Sequence, residues 1–142
     1  MSGPKGSSRR WWLAAVLPPV FLMVLIAVLS HQTLPIGLHR GSDKLVHGLV
    51  YALLGWLWCR ALFRGRFGWV ACMGLAFGIS SVWGLLDEWH QSFVPGRMAE
   101  AMDAVADIMG AAAGSVLAVV VAGSRGKLRA EGATASGGRL RQ

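Results

Sequence analysis

The chain has 142 residues, 54% hydrophobic and 15% charged, with 14 Lys+Arg against 7 Asp+Glu and a formal net charge of +7. That length fits one domain at most, and so apolar a composition excludes disorder for most of it and is poor in charge for a soluble domain. Nucleic-acid binding is a poor reading of the basic charge, because the basic residues flank apolar stretches and do not pattern a soluble module.

In chain order, residues 1–10 are a basic N-terminus with Lys5, Arg9 and Arg10, and residues 11–29 follow as an uncharged apolar stretch. Ser8-Arg9-Arg10-Trp11-Trp12-Leu13 is loosely similar to a twin-arginine export signal. The apolar run exceeds a signal's usual core of about 7–15 residues, so a retained helix is expected. Pro18 and Pro19 lie inside it, and a kink is expected there. Residues 45–63 are interrupted only by His47 and Arg60, residues 67–86 are uncharged, and residues 104–122 contain only Asp107. At a rise of about 1.5 Å per residue each stretch crosses a hydrocarbon core of about 30 Å. Backbone groups in lipid must bond within their own segment, so the spans are helices. The predicted fold is an all-α integral membrane protein with four transmembrane helices in residues 11–122. Residues 123–142 are rich in Gly, Ser and Ala and basic, which predicts a disordered tail attracted to anionic lipid.

Basic residues set the expected orientation. Lys5, Arg9, Arg10, Arg60, Arg64, Arg66, Arg125, Lys127, Arg129, Arg139 and Arg141 fall on one side, against Arg40, Lys44 and Arg97 on the other. The positive-inside rule then puts both termini in the cytoplasm. Cys59 and Cys72 lie in the cytoplasmic half and are read as packing residues.

The acidic residues are distributed in the opposite sense. Asp43, Asp87, Glu88, Glu100, Asp103 and Asp107, with His31, His39, His47 and His90, all map to the external end. Lys44, His47 and Tyr51 share one face of the second helix. Ser80, Gly84, Asp87 and Gln91 make one stripe on the third, with Ser81, Glu88 and Gln91 beside it. On the fourth, Glu100, Asp103, Asp107, Gly110 and Gly114 form a line, with Asp107 about 6 Å deeper than Asp103. An unpaired charge at that depth costs at least about 2–3 kcal/mol, so Asp107 should face the bundle interior. Gly74-xxx-Gly78 and Gly110-xxx-Gly114 are small-residue motifs expected to bring these faces together. Trp11, Trp12, Trp56, Trp58, Trp69 and Trp83 are expected in aromatic belts or on lipid-facing surface, and Trp89 and Phe93 at the interface. His31 and His39 are expected to be solvated. Pro95-Gly96 suits a type II turn that returns Arg97 towards the carboxylates.

Asp43-Lys44-Leu45-Val46-His47 with Tyr51, Asp87-Glu88 with Gln91, Phe93-Val94-Pro95-Gly96-Arg97, and Asp103 with Gly110 resemble the VanZ-like family. The resemblance covers roughly residues 40–120. It implies a multi-pass protein of the bacterial cytoplasmic membrane, related to a protein associated with low-level resistance to teicoplanin, a lipoglycopeptide. No catalytic residues carry over. Asp107, where the family pattern has Asn, and Glu100, often Ser or Asp, add negative charge.

Three readings follow. In the first, an outward-facing site acts on or binds a lipid-linked envelope component or wall precursor. Glu88 or Asp103 would serve as base with His47 as proton partner, while Asp43, Lys44, Tyr51, Asp87, Gln91, Arg97 and Asp107 bind the substrate. Lys44 and Arg97 would hold an anionic headgroup. Asp, Glu and His suit a divalent cation, but no spacing such as HExxH is present, so a metal is not the favoured cofactor. In the second, the cluster binds precursor or lipoglycopeptide without chemistry. In the third, Asp43–Lys44 and Asp103–Arg97 pair, with His47, only to lock the bundle. A transporter fits less well, since four helices leave little room for a pore.

Overall fold

A computed structural model describes residues 6–31, 42–64, 67–95 and 100–139, with side chains described for 12–31, 43–64, 67–95 and 100–124. The described chain is α-helical, in the order α1 (Gly6–Ser30), α2 (Ser42–Arg64), α3 (Trp69–Gln91) and α4 (Ala101–Arg139). Each helix contains a segment long and apolar enough to cross a membrane: Trp12–Ser30, Asp43–Arg64, Trp69–Gln91 and Ala101–Ser124. The spans therefore take in Lys44, Asp87, Glu88, Gln91 and Asp103, which the apolar stretches alone had left in the connections. Of these, Lys44, Asp87 and Asp103 have side-chain partners on another helix.

α1 runs through both prolines, with Pro19 buried and Pro18 exposed. α3 closes with short carbonyl contacts, Phe93 N–H to His90 O at 3.1 Å and Val94 N–H to Gln91 O at 3.0 Å. Gly96 and Arg97, the rest of the expected turn, lie outside the described residues, as does His39. α4 does not stop at Gly123 but continues as helix to Arg139. Ala, Leu, Lys, Arg and Glu in that stretch are good helix formers and prolong a helix already nucleated in the span.

Connectivity puts four termini at one end: the C-termini of α1 and α3 and the N-termini of α2 and α4. α2 and α4 share the most extensive contact, α3 packs on both, and α1 lies mainly against α2. The α2–α4 seam is made by glycines. A Cβ on Gly110 would overlap the Gly48 carbonyl, and one on Gly114 the Ala52 carbonyl. Gly55 answers from α2, where a Cβ would stand 2.5 Å from the Ala111 oxygen. Gly74 and Gly78 make no such approach, and no described residue lies within 4 Å of a Cβ built on either. The small-residue motif of α3 thus joins no described helix, contrary to expectation.

Apolar packing is concentrated in two clusters. Ile26, Tyr51 and Leu54 form one, with Trp58 and Trp83 against it. Cys59, Cys72, Ala76 and Ala118 form the other, with Trp56, Trp58 and Phe63. Trp56, Trp58 and Trp83 are half-buried and pack against the core, while Trp12, Trp69 and Trp89 are exposed. Both cysteines are free and buried. Many large apolar side chains point outward, among them Phe21, Val24, Val70, Val82 and Met109, as a lipid-facing surface requires.

Candidate functional site

The polar faces of α2, α3 and α4 meet at the end where those four termini gather. α3 buries Ser80, Ser81, Gly84, Asp87, Glu88 and Gln91 along one flank. The 3.6-residue repeat puts them on adjoining rows, and the small Gly84 lets α3 approach the facing helices. A Cβ on Gly84 would stand 3.1 Å from both Asp107 Oδ2 and the Tyr51 ring. Tyr51 and Asp107 are thus side by side beneath α3.

Lys44 forms the outermost link. Its Nζ donates to Glu100 Oε2 at 2.8 Å and to Asp103 Oδ1 at 3.0 Å. The bundle-locking reading paired Lys44 with its neighbour Asp43; it instead crosses to α4. Asp103, expected to meet Arg97, takes Lys44, and Arg97 lies outside the described residues. Asp103 sits in the first turn of α4, and Asp43 in that of α2, where the positive end of the helix dipole favours a carboxylate.

One turn deeper, His47 Nδ1 lies 3.0 Å from Asp107 Oδ1. Asp107 is fully buried, and its Oδ2 has no hydrogen-bond partner among the described residues. Glu88 is 7% exposed, and neither of its carboxylate oxygens has a partner among them. One ligand atom each from His47, Glu88 and Asp107 lies within 4.8 Å of the others. A second group, Asp43, His47 and Asp103, meets the same distance and shares His47. The Tyr51 hydroxyl, expected to reach His47 or a carboxylate, is buried without a described partner.

Asp87 belongs to a separate arrangement. Its Oδ2 accepts from Ser30 Oγ at 2.7 Å and from Gln91 Nε2 at 2.9 Å. These bonds satisfy a carboxylate at the C-terminal end of α3, where the helix dipole opposes negative charge. Glu88 stands against the same dipole with no such donors. Ser30 was not singled out from the sequence, because one hydroxyl ending an apolar run carries no periodic signal. His31 and His90, both exposed, also approach, Nδ1 to Nε2 at 3.4 Å.

Of the ten expected site residues, His47, Glu88 and Asp107 come together, with Tyr51 alongside and Asp43, Lys44 and Asp103 at the rim. Asp87 and Gln91 are drawn off into the α1–α3 contact, and Arg97 is not described. This arrangement offers a histidine, a buried carboxylate pair and a phenol in one place, a set suited to proton transfer or cation binding. Lys44 is engaged by two carboxylates, Glu100 and Asp103.

No curated protein and no solved structure is a significant match to the chain. A family model described as VanZ/LLP1 matches residues 14–122. That match runs from within α1 to within α4 and takes in every described residue of the site, so the chain is a multi-pass membrane protein belonging to the VanZ/LLP1 family.

Proposed function

We propose that the protein resides in the bacterial cytoplasmic membrane with both termini inside and its polar end outward. There it binds or acts on a lipid-linked envelope component, and by doing so lowers susceptibility to glycopeptides such as teicoplanin. Glu88 is the base in this reading, His47 its proton partner, and Asp107 the group that orients the imidazole. Arg97 would be the cation for a headgroup, since Lys44 is engaged. The observation that supports the reading is Glu88: a buried carboxylate with no described partner, beside a histidine. A charge so placed destabilises the fold, and its retention needs a role outside packing.

The bundle-locking reading draws support from Lys44 with Glu100 and Asp103, and from Asp87 with Ser30 and Gln91. It does not account for Glu88. Expression of wild type and Glu88→Gln in a susceptible bacterium tests the proposal, with teicoplanin susceptibility and mass spectrometry of lipid-linked precursors read together. Wild type should lower susceptibility, and the variant should lose the effect at equal membrane abundance. Changed precursors mark chemistry, and unchanged precursors with lowered susceptibility mark binding alone. An equally active Glu88→Gln protein sinks the assignment.

A further inference from the structure

We infer that His47, Glu88 and Asp107 hold one divalent first-row transition cation, Zn2+ or Mn2+, in the buried centre of the bundle. The inference rests on the reading of this group as functional and revises its roles: with the ion bound, Glu88, His47 and Asp107 act as ligands and not as base, proton partner and orienting group. It does not come from acidic residues being near one another. Glu88 is more than nine-tenths buried, both its oxygens lack a partner among the described residues, and it converges on the atoms of His47 and Asp107 within 4.8 Å. Asp107, fully buried, directs one oxygen to His47 and leaves the other without a described partner. With His47 as the only described partner of Asp107 and none for Glu88, the charged forms of the two carboxylates lack a full counter-charge in this low-dielectric interior. Lys44 does not supply it, being bound to Glu100 and Asp103.

A divalent ion on Glu88, Asp107 and a neutral His47 makes a centre of zero net charge. Glu88 also stands near the C-terminus of α3, where partial negative charge from the backbone adds attraction for a cation. The imidazole ligand selects transition ions over Mg2+ and Ca2+, which take oxygen donors. Ligand bonds of about 2.0–2.2 Å set donor atoms roughly 3–3.5 Å apart. Side-chain rotations of about an ångström therefore close the group on an ion. Three protein ligands leave coordination positions open, so the ion brings positive charge to a site whose described lysine is already paired. The rim group of Asp43, His47 and Asp103 is the weaker candidate, because Asp103 has Lys44 as its partner.

The test uses the full chain purified in detergent, stripped with a chelator, and equilibrated separately with Zn2+, Mn2+, Mg2+ and Ca2+. Wild type and Asp43→Asn should retain about one equivalent of Zn2+ or Mn2+ through gel filtration and should not retain Mg2+ or Ca2+. Glu88→Gln and Asp107→Asn keep side-chain shape and remove buried charge, and each should bind at least about tenfold more weakly. Spin-echo spectra of Mn2+ on wild type, which need no variant, should show coupling to an imidazole nitrogen. The inference is overturned if wild type retains no metal, if both carboxylate variants retain it equally, or if Asp43→Asn alone loses it. Preference for Mg2+ or Ca2+, or a bound-Mn2+ spectrum without imidazole-nitrogen coupling, also overturns it. Metal held by this group with no effect on susceptibility or precursors removes the functional proposal and leaves the cation site standing. A Glu88-dependent phenotype in a protein that holds no metal does the reverse.

Discussion

Ser30 donates its hydroxyl to Asp87 across 2.7 Å, tying the last residue of α1 to the polar end of α3. Asp87 keeps Gln91 when the serine is lost, but one charge-assisted bond to a buried carboxylate disappears. Ser30→Ala should therefore cost about 1–3 kcal/mol in reversible unfolding from detergent. Ser30→Thr, which restores the hydroxyl, should recover most of it. An alanine variant as stable as wild type would show that this bond does not hold α1.

The glycines of α4 and α3 should behave oppositely. Gly110→Ala and Gly114→Ala force the backbones of α2 and α4 apart and should cost about 1–3 kcal/mol or more. Gly74→Ala and Gly78→Ala meet no described atom and should stay within about 0.5 kcal/mol of wild type or gain slightly. Denaturation by increasing mole fraction of SDS reads all four on one scale.

Lys44→Met leaves Asp103, whose side chain is 8% exposed, without its cation. A lower melting temperature is expected, and adding Asp103→Asn to that variant should restore part of it. The double-mutant cycle should give a coupling of favourable sign. Additive effects of the two substitutions would deny the pair an energetic role.

Glu88→Gln should be as stable as wild type or about 1 kcal/mol more stable in metal-free detergent, since it removes a buried charge without creating a cavity. Zn2+ at a hundred times its dissociation constant should stabilise wild type by about 2.7 kcal/mol. With binding weakened about tenfold or more, the same addition should stabilise Glu88→Gln by about 1.4 kcal/mol at most. Equal shifts in the two proteins would put the ion elsewhere.

Orientation has its own measurement. Cys59 and Cys72 are buried, so a cysteine introduced at the exposed His31 gives a nearly clean labelling site. His31→Cys should react with an impermeant maleimide from outside intact cells, and a fluorescent protein fused after Gln142 should fold in the cytoplasm. Labelling only after lysis would invert the proposed topology.

Helix number and approximate spans were legible because each apolar run is longer than any soluble core element needs. The polar stripes were legible too: Lys44, His47 and Tyr51 share a face because of helix period alone, as do Gly84, Asp87 and Gln91. Partnering was not legible. Lys44 reaches residues 56 and 59 positions away in preference to its neighbour Asp43, and that choice depends on α2 and α4 being apposed. Sequence spacing does not say which helices are neighbours. Nor does it separate Gly110-xxx-Gly114, which meets another backbone, from Gly74-xxx-Gly78, which does not. Ser30 escaped notice for the same reason, since its meaning lies in α3.

The glycine seam gives the buried centre two walls of unequal stiffness. His47 and Asp107 belong to helices whose backbones touch, so their spacing is set by main-chain contact and has little slack. Glu88 arrives on α3, which leans on that pair through side chains and the small gap at Gly84. The side-chain rotations that close the three residues on an ion therefore have most room on the Glu88 side, where the neighbouring Asp87 joins α3 to Ser30 of α1. α2 and α4 thus form the fixed side of the centre, and α3 the side with room to give.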